Sequence, residues 1–325
     1  MSAPQTLIHW TDFESPDEKV RNAEHSLSIL CATVWPGSSA VVQHVSGGLS
    51  NHSFLVAIEN GRYFVQIQEP SANESTLSMC REGQVAWAIR AHDLRIGPRL
   101  VSCGHTNGHD YLVTDFVPST TLKRSDGAFP SGALGLLGES LRTLHESAPI
   151  PGPFSWAADA VSGVRRFCAE VERSSPEVIR CIELSLELAD NAEAVRGPYT
   201  KSPCHADLLP ENILWDGTAI QLIDWEYSGM GDPLFDLADF CAKAELSVSD
   251  AKQVVSGWGG RFDEIYPVLR AYLPISLMRE AMWAFRAHDV RWRTDVDYIT
   301  YARDRVRVTQ KILASSYWPF GRMTR

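Results

Sequence analysis

Between residues 205 and 212 the chain reads H-A-D-L-L-P-E-N, and an apolar run downstream ends in I-D-W-E at 223–226. The first segment sets a carboxylate, Asp207, five residues ahead of an amide, Asn212, and the second adds another carboxylate, Asp224. A carboxylate can take the proton of an attacking hydroxyl. An amide oxygen and a second carboxylate can hold magnesium, which prefers hard oxygen ligands. Phosphoryl transfer from ATP needs those parts, because it depends on positioning and charge neutralisation rather than covalent chemistry. Singly, each residue reads as a turn or cap; the ordered set carries the signal.

Asp216-Gly217 stands between the apolar runs 213–215 and 220–223, so the spacing predicts a hairpin that returns Asp224 beside Asn212. Upstream, Ser46-Gly47-Gly48-Leu49-Ser50-Asn51 lies between two strand-like runs. Glycines there let backbone N–H groups close on phosphates, which makes Gly47, Gly48, Ser50 and Asn51 the expected nucleotide contacts. A Gly-Gly pair alone is usually only a turn; its place ahead of the 205–224 segment gives it weight.

The elements that must position these residues fall into two halves. Ser15-Pro16-Asp17-Glu18 opens a helix expected to reach residue 34. Strands are expected at 41–45, 53–58 and 63–68, then a helix over 75–94 ended by Gly97-Pro98, then strands at 99–103 and 111–114. From Gly132 onward the signals are helical: 134–146, 158–173, 177–194, 235–245, 250–258, 266–292 and 298–313, with Pro274 expected to kink one of them. An irregular stretch at 203–233 interrupts this series and contains the chemistry. The fold class is α+β, with a small antiparallel-sheet lobe over 1–115 and a larger helical lobe over 116–325, joined near Asp115–Pro118.

A chain of 325 residues with 44% apolar and 22% charged residues can bury a sizeable core in two lobes. The formal net charge of -10, without any Lys/Arg-rich run, argues against a nucleic-acid partner. The seven cysteines form no C-x-x-C pair and are expected to be reduced and mostly buried. The N-terminus lacks a signal-peptide pattern, and no apolar run is long enough to insert in a membrane. A cytoplasmic protein is expected.

The string D-L-L-P-E-N-I-L-W with L-I-D-W-E-Y-S-G-M-G-D-P-L-F-D-L-A, within residues 207–238, resembles the aminoglycoside phosphotransferase and choline kinase superfamily, most of all its bacterial choline/ethanolamine kinase branch. The glycine loop, Met282-Trp283-Ala284 and residues 297–302 resemble that branch too, so the likeness runs from about residue 40 to the end. It implies a protein-kinase-like bilobal fold, ATP and Mg2+ as cofactors, Asp207 as catalytic base, and Asn212 and Asp224 as metal ligands. It implies further that Glu226 lies near metal and substrate, that His205 braces the loop, and that Asp232 and Asp236 anchor the helical lobe. Backbone at Asp115 and Val117 is where such folds receive adenine; a plain linker is the competing reading.

One departure stands out. Kinases of this type carry Lys or Arg on the third strand, directed at the phosphates, whereas the matching position here is Gln66. Glu82 is the expected acidic partner of that position, with Gln84 as a competing alignment, and Arg62 or Arg81 could supply the missing charge. For the acceptor, the likeness points to a small amino alcohol, choline or ethanolamine first, caged by Tyr227 and Trp283. Core packing with Met278, Met282 and Phe285 is the competing reading of Trp283. Glu280 stands where a second tryptophan is frequent, and a carboxylate there would favour a primary amine. An aminoglycoside or thiamine kinase is a same-class alternative, and Gln66 motivates a nucleotide-binding pseudokinase.

Overall fold

The computed structural model describes residues 7–10, 18–45, 49–68, 77, 79–152 and 154–320. The chain divides into two compact units, one of residues 1–73, 98–117 and 290–297, the other of 74–97, 118–289 and 298–325. Two segments depart from the lobes expected from sequence. The crossing helix at 81–93 groups with the helical unit, and 290–297 groups with the sheet unit.

The first unit is a six-stranded sheet ordered β1-β2-β3-β4-β6-β5. Its strands are β1 Leu7–Trp10, β2 Ser39–Val45, β3 Asn51–Ile58, β4 Gly61–Gln68, β5 Leu100–Thr106 and β6 His109–Asp115. All neighbouring pairs are antiparallel except β1, which runs parallel to β2. Helix α1, Glu18–Val34, lays Ala23, Leu27, Leu30 and Cys31 on one stripe against Val42, Phe54, Val56, Val65, Ile67 and Val113 of the sheet. Strand β1 was not expected. At four residues with three of them exposed, it offers no alternation to detect.

The second unit contains α2 Arg81–Asp93, β7 Thr120–Thr121, α3 Ala133–His145, α4 Ala160–Glu170, α5 Pro176–Arg196, β8 Ser202–Cys204, β9 Ile213–Trp215, β10 Ile220–Leu222, β11 Gly229–Gly231, α6 Pro233–Lys243, α7 Val248–Trp258, α8 Phe262–Asp289 and α9 Tyr298–Ala314. Helix starts follow capping chemistry: Ser175 and Asp232 cap α5 and α6, each with proline at the first turn, and Ser247 caps α7. Helix α8 is buried along most of its length and packs against α4, α5, α6 and α9. It runs through Pro267 and Pro274 as one helix, so Pro274 does not end it.

The expected helix at 158–173 is shorter. A 3-10 turn at Trp156–Ala158 precedes it, Asp159 caps α4, and extended backbone at Val171 stops it. Helix α2 is tied to the second unit by Cys80 N–H on the Glu226 carbonyl at 3.1 Å and Leu222 N–H on the Ile96 carbonyl at 2.6 Å. The irregular stretch resolves into short pieces: β9 and β10 form the expected hairpin, β7 adds to its edge, and β8 pairs with β11. The cysteines are free, five of them buried. Among the described residues, no helix is long and apolar enough to cross a membrane.

Helices α3 and α7 approach so closely that their glycines are steric necessities. A Cβ at Gly138 would lie 2.1 Å from the Val254 carbonyl oxygen, and one at Gly257 would lie 2.0 Å from that of Gly135. Gly138→Ala or Gly257→Ala should cost about 1–3 kcal/mol in urea unfolding. Gly135→Ala, whose Cβ meets nothing within 4 Å, should be neutral or gain up to about 1 kcal/mol from helix propensity. Equal midpoint shifts at Gly135 and Gly138 would contradict this packing.

Candidate active site

The loop 205–212 is held by carboxylates on α6. Asp236 accepts the backbone N–H groups of His205 and Ala206, both at 2.8 Å. Asp239, one turn on, accepts the N–H of Leu208 at 2.7 Å and the hydroxyl of Ser276 at 2.7 Å. Three backbone donors of an irregular loop are thereby satisfied inside the protein, where an unmet N–H would be costly. Ala206 needs this hold, because its φ of 62° lies in the left-handed region disfavoured for a residue with a Cβ. Arg279 of α8 grips the other side of the same residue, donating to the Ala206 carbonyl and, at 3.1 Å, to that of Ala157.

This backbone presents Asp207. Its Oδ1 accepts from Lys243 Nζ at 2.7 Å, and its Oδ2 accepts from Asn212 Nδ2 at 3.1 Å. Burial pushes the Asp207 carboxyl upward, but Lys243 and Arg279 outweigh it and leave the pKa below the usual carboxylate value. Asn212 Nδ2 also donates to the Asp207 carbonyl at 3.0 Å. With its nitrogen committed twice to residue 207, the amide leaves its oxygen for a hard cation. Ile223 N–H meets the Asn212 carbonyl at 3.0 Å, which sets Asp224 next in line. Asp224 itself adopts φ 68°, the second left-handed residue of the site. An amide oxygen and a carboxylate, flanking the two strands of the β9–β10 hairpin, suit magnesium.

His205 joins the two loops. Its Nε2 donates to the Ile223 carbonyl at 2.9 Å, and its Nδ1 accepts the Asp207 N–H at 3.3 Å. Asp232 caps α6 through Leu234 N–H at 3.0 Å and accepts from Tyr272 at 2.8 Å and from Arg196. His145, Cys204 and Asp236 lie close enough together to suggest a metal centre. Their atoms are already committed, however. Trp258 Nε1–H donates to His145 Nδ1 at 2.9 Å, so Nε2 carries the proton and donates to Asp236 at 3.0 Å. Burial also drives the Cys204 thiol pKa well upward, away from the thiolate a metal requires.

In the sheet unit, Gly47 and Gly48 lie outside the described residues. Ser50 precedes β3 and Asn51 begins it, and their carbonyls accept from Trp292 Nε1 at 3.1 Å and Arg293 Nη1 at 2.8 Å. Gln66 is buried on β4 opposite Ser53 and Leu112. Asp115 closes β6, its carboxylate clasped by Arg99 at 2.9 and 3.0 Å and its N–H bonded to the Arg99 carbonyl at 3.0 Å. Val117 ends the 98–117 segment of this unit. Of the two candidate substitute cations, Arg62 lies over the Phe116 ring at 4.6 Å, and Arg81 pairs with Glu226 at 2.8 Å. Glu82 is exposed on α2 and has no ion pair among the described residues, whereas Gln84 is buried. Glu82 therefore does not have the environment of a buried ion-pair partner.

Among the expected acceptor residues, Glu226 is 1% exposed and engaged by Arg81. Tyr227 is buried in the field of Glu226, Asp207 and Asp224, with a hydroxyl that has no hydrogen-bond partner among the described residues. Trp283 packs edge-on against Tyr298 at 5.6 Å, and its Nε1–H is likewise buried without a partner. Glu280 differs from expectation. Lys243 holds one of its oxygens at 2.6 Å, and Tyr301 donates to the other at 2.7 Å. Its charge is already met from within the protein, so a preference for primary amines cannot be built on it.

Sequence reasoning missed Lys243, Arg279, Trp292 and Arg293. One signal was available: Asp236, Asp239 and Lys243 fall at i, i+3 and i+7, three charges on one face of an otherwise apolar helix. Charges on a buried face must find partners, and here those partners include the loop 205–212.

Comparison with known proteins agrees with this geometry. Residues 41–272 match the model of the phosphotransferase enzyme family, APH. Protein LicA of Haemophilus influenzae is 56% identical over 45 residues, a match spanning 14% of this chain and 17% of that protein's length. Thiamine kinase of Shigella boydii is 32% identical over 267 residues, covering 80% of this chain and 86% of that one. A choline/ethanolamine kinase family protein from Mesorhizobium loti superposes with a TM-score of 0.67 at 19% identity, over 91% of this chain and 95% of that one. The fold is thus α+β and protein-kinase-like, and the chain belongs to the phosphotransferase enzyme family.

Proposed function

We propose that this protein is an ATP- and magnesium-dependent kinase that phosphorylates the hydroxyl of a small amine-bearing molecule, choline or ethanolamine first. One observation carries the reading: Asp207, Asn212 and the residue preceding Asp224 are joined by consecutive hydrogen bonds at 3.1 and 3.0 Å. Magnesium held by Asn212 Oδ1 and Asp224 would neutralise the phosphates of bound ATP. Asp207 accepts the proton of the acceptor hydroxyl on a lone pair that neither Lys243 nor Asn212 uses. A low-pKa carboxylate suits this task, because a loose transition state asks the base to orient the hydroxyl and to take its proton late.

For the acceptor, support comes from the buried, unmatched polar tips of Tyr227 and Trp283 and from the carboxylates around Tyr227. Aromatic faces beside negative charge attract an organic cation. Choline, ethanolamine and thiamine share a hydroxyethyl arm attached to a nitrogen-bearing head. Thiamine remains the alternative acceptor, in keeping with the long match to thiamine kinase. A second reading, a nucleotide-binding pseudokinase, is favoured by the neutral Gln66 on β4.

His205 is read as the brace between the two loops rather than as a proton carrier. Burial holds its pKa below the ordinary 6.5, so below that pH the unfolded chain binds more protons than the folded one. Stability should therefore fall as pH drops through about 6.5, and His205→Gln should flatten that slope by up to about 1.4 kcal/mol per pH unit. An unchanged slope in urea unfolding between pH 7 and pH 5 would mean the ring is charged in the fold.

Coupled ADP release with choline, ethanolamine, thiamine and aminoglycosides tests the activity directly. Choline or ethanolamine should give the highest kcat/KM, and Asp207→Asn should lower kcat by about 10²–10⁴-fold with ATP binding retained. Turnover with thiamine alone would reassign the acceptor; turnover with none would favour the pseudokinase. Gln66→Lys should change kcat by less than about tenfold if the site is competent as it stands; a larger gain would mark the natural site as impaired.

A further inference from the structure

We propose that Lys243 is a positioning residue, fixing the direction of the Asp207 carboxylate from inside the helical unit. This rests on Asp207 being the base. The Lys243 side chain is 0% exposed and lies 2.7 Å from Asp207, 3.0 Å from Asp239 and 2.6 Å from Glu280. An ammonium so enclosed has no path to a phosphate, and its three donors are spent on the three carboxylates.

The three carboxylates do not depend on it equally. Asp239 also accepts from Leu208 N–H and Ser276, and Glu280 also accepts from Tyr301. On Asp207 Oδ1, Lys243 is the donor recorded among the described residues, while Asn212 holds Oδ2. The two donors grip opposite oxygens, which fixes both side-chain torsions of Asp207. Removing one of them leaves the carboxylate free to turn about the other. Lys243 in turn is anchored by Glu280 on α8, whose second oxygen is bonded to Tyr301 on α9. The orientation of the base is therefore set by a chain of contacts running through α6, α8 and α9.

A bland alternative is that Lys243 only balances buried charge. Comparing Lys243→Met, Glu280→Gln and the double variant Lys243→Met/Glu280→Gln separates the two, since the double variant keeps the net charge of the cluster. Positioning predicts that the double variant folds, keeps KM for ATP and acceptor within about threefold, and loses kcat by about 100-fold. Glu280→Gln alone removes one anchor of Lys243 while Asp207 and Asp239 still hold the ammonium, so it should lower kcat less than the double variant does. Crystal structures of wild type and the double variant give a readout independent of turnover: in the variant the Asp207 carboxylate should turn about its Asn212 contact, so that Oδ1 leaves its wild-type position. Recovery of kcat in the double variant, or an Asp207 Oδ1 that keeps its wild-type position, overturns the proposal. If wild type phosphorylates no acceptor, the kinase reading fails, and the crystallographic comparison still decides the role of Lys243.

Discussion

Asp236 has no exposure to solvent, yet it carries a charge and three strong donors: two consecutive backbone N–H groups and the Nε2–H of His145. Burial pushes its pKa upward, and those donors more than reverse the effect, so the carboxylate stays ionised in the core. The turn at residues 205–206 is held by this side chain. A left-handed alanine costs about 1–3 kcal/mol. Each hydrogen bond to a buried charge returns about 1.5–3 kcal/mol, so two of them are enough to hold Ala206 where no isolated loop would keep it. Asp207 follows Ala206 directly, and its direction is inherited from that turn.

The same logic extends outward along α6. Asp239 fixes the next loop N–H, Lys243 fixes the Asp207 side chain, and Asp232 at the helix start ties α6 to α5 through Arg196 and to α8 through Tyr272. One helix thus sets backbone and side-chain geometry together. Buried ion pairs add little net stability, since desolvation consumes most of the Coulomb gain. What they supply here is definition: each carboxylate has its partner, and no second arrangement of the loop would satisfy them all.

Much of this was legible in the sequence, for identifiable reasons. The hairpin through Asp216-Gly217 follows from local turn chemistry, and the return of residue 223 to Asn212 follows from its length. The long helices are set by periodicity and caps. What stayed hidden depended on distant partners. Strand β1 forms only because β2 offers an edge, and Trp292 and Arg293 reach β3 across more than two hundred residues. Glu280 looked like an available carboxylate because nothing local announces that Lys243 and Tyr301 enclose it. The phosphate contacts expected at Gly47 and Gly48 fall outside the described residues.

The central claim is that Asn212 and Asp224 share one divalent ion beside Asp207. A crystal soaked with Mn2+ and ADP, measured for anomalous scattering, tests it most directly. The account predicts a manganese peak within about 2.5 Å of both Asn212 Oδ1 and an Asp224 carboxylate oxygen. A peak placed elsewhere, or nucleotide bound without metal at these two residues, would contradict it.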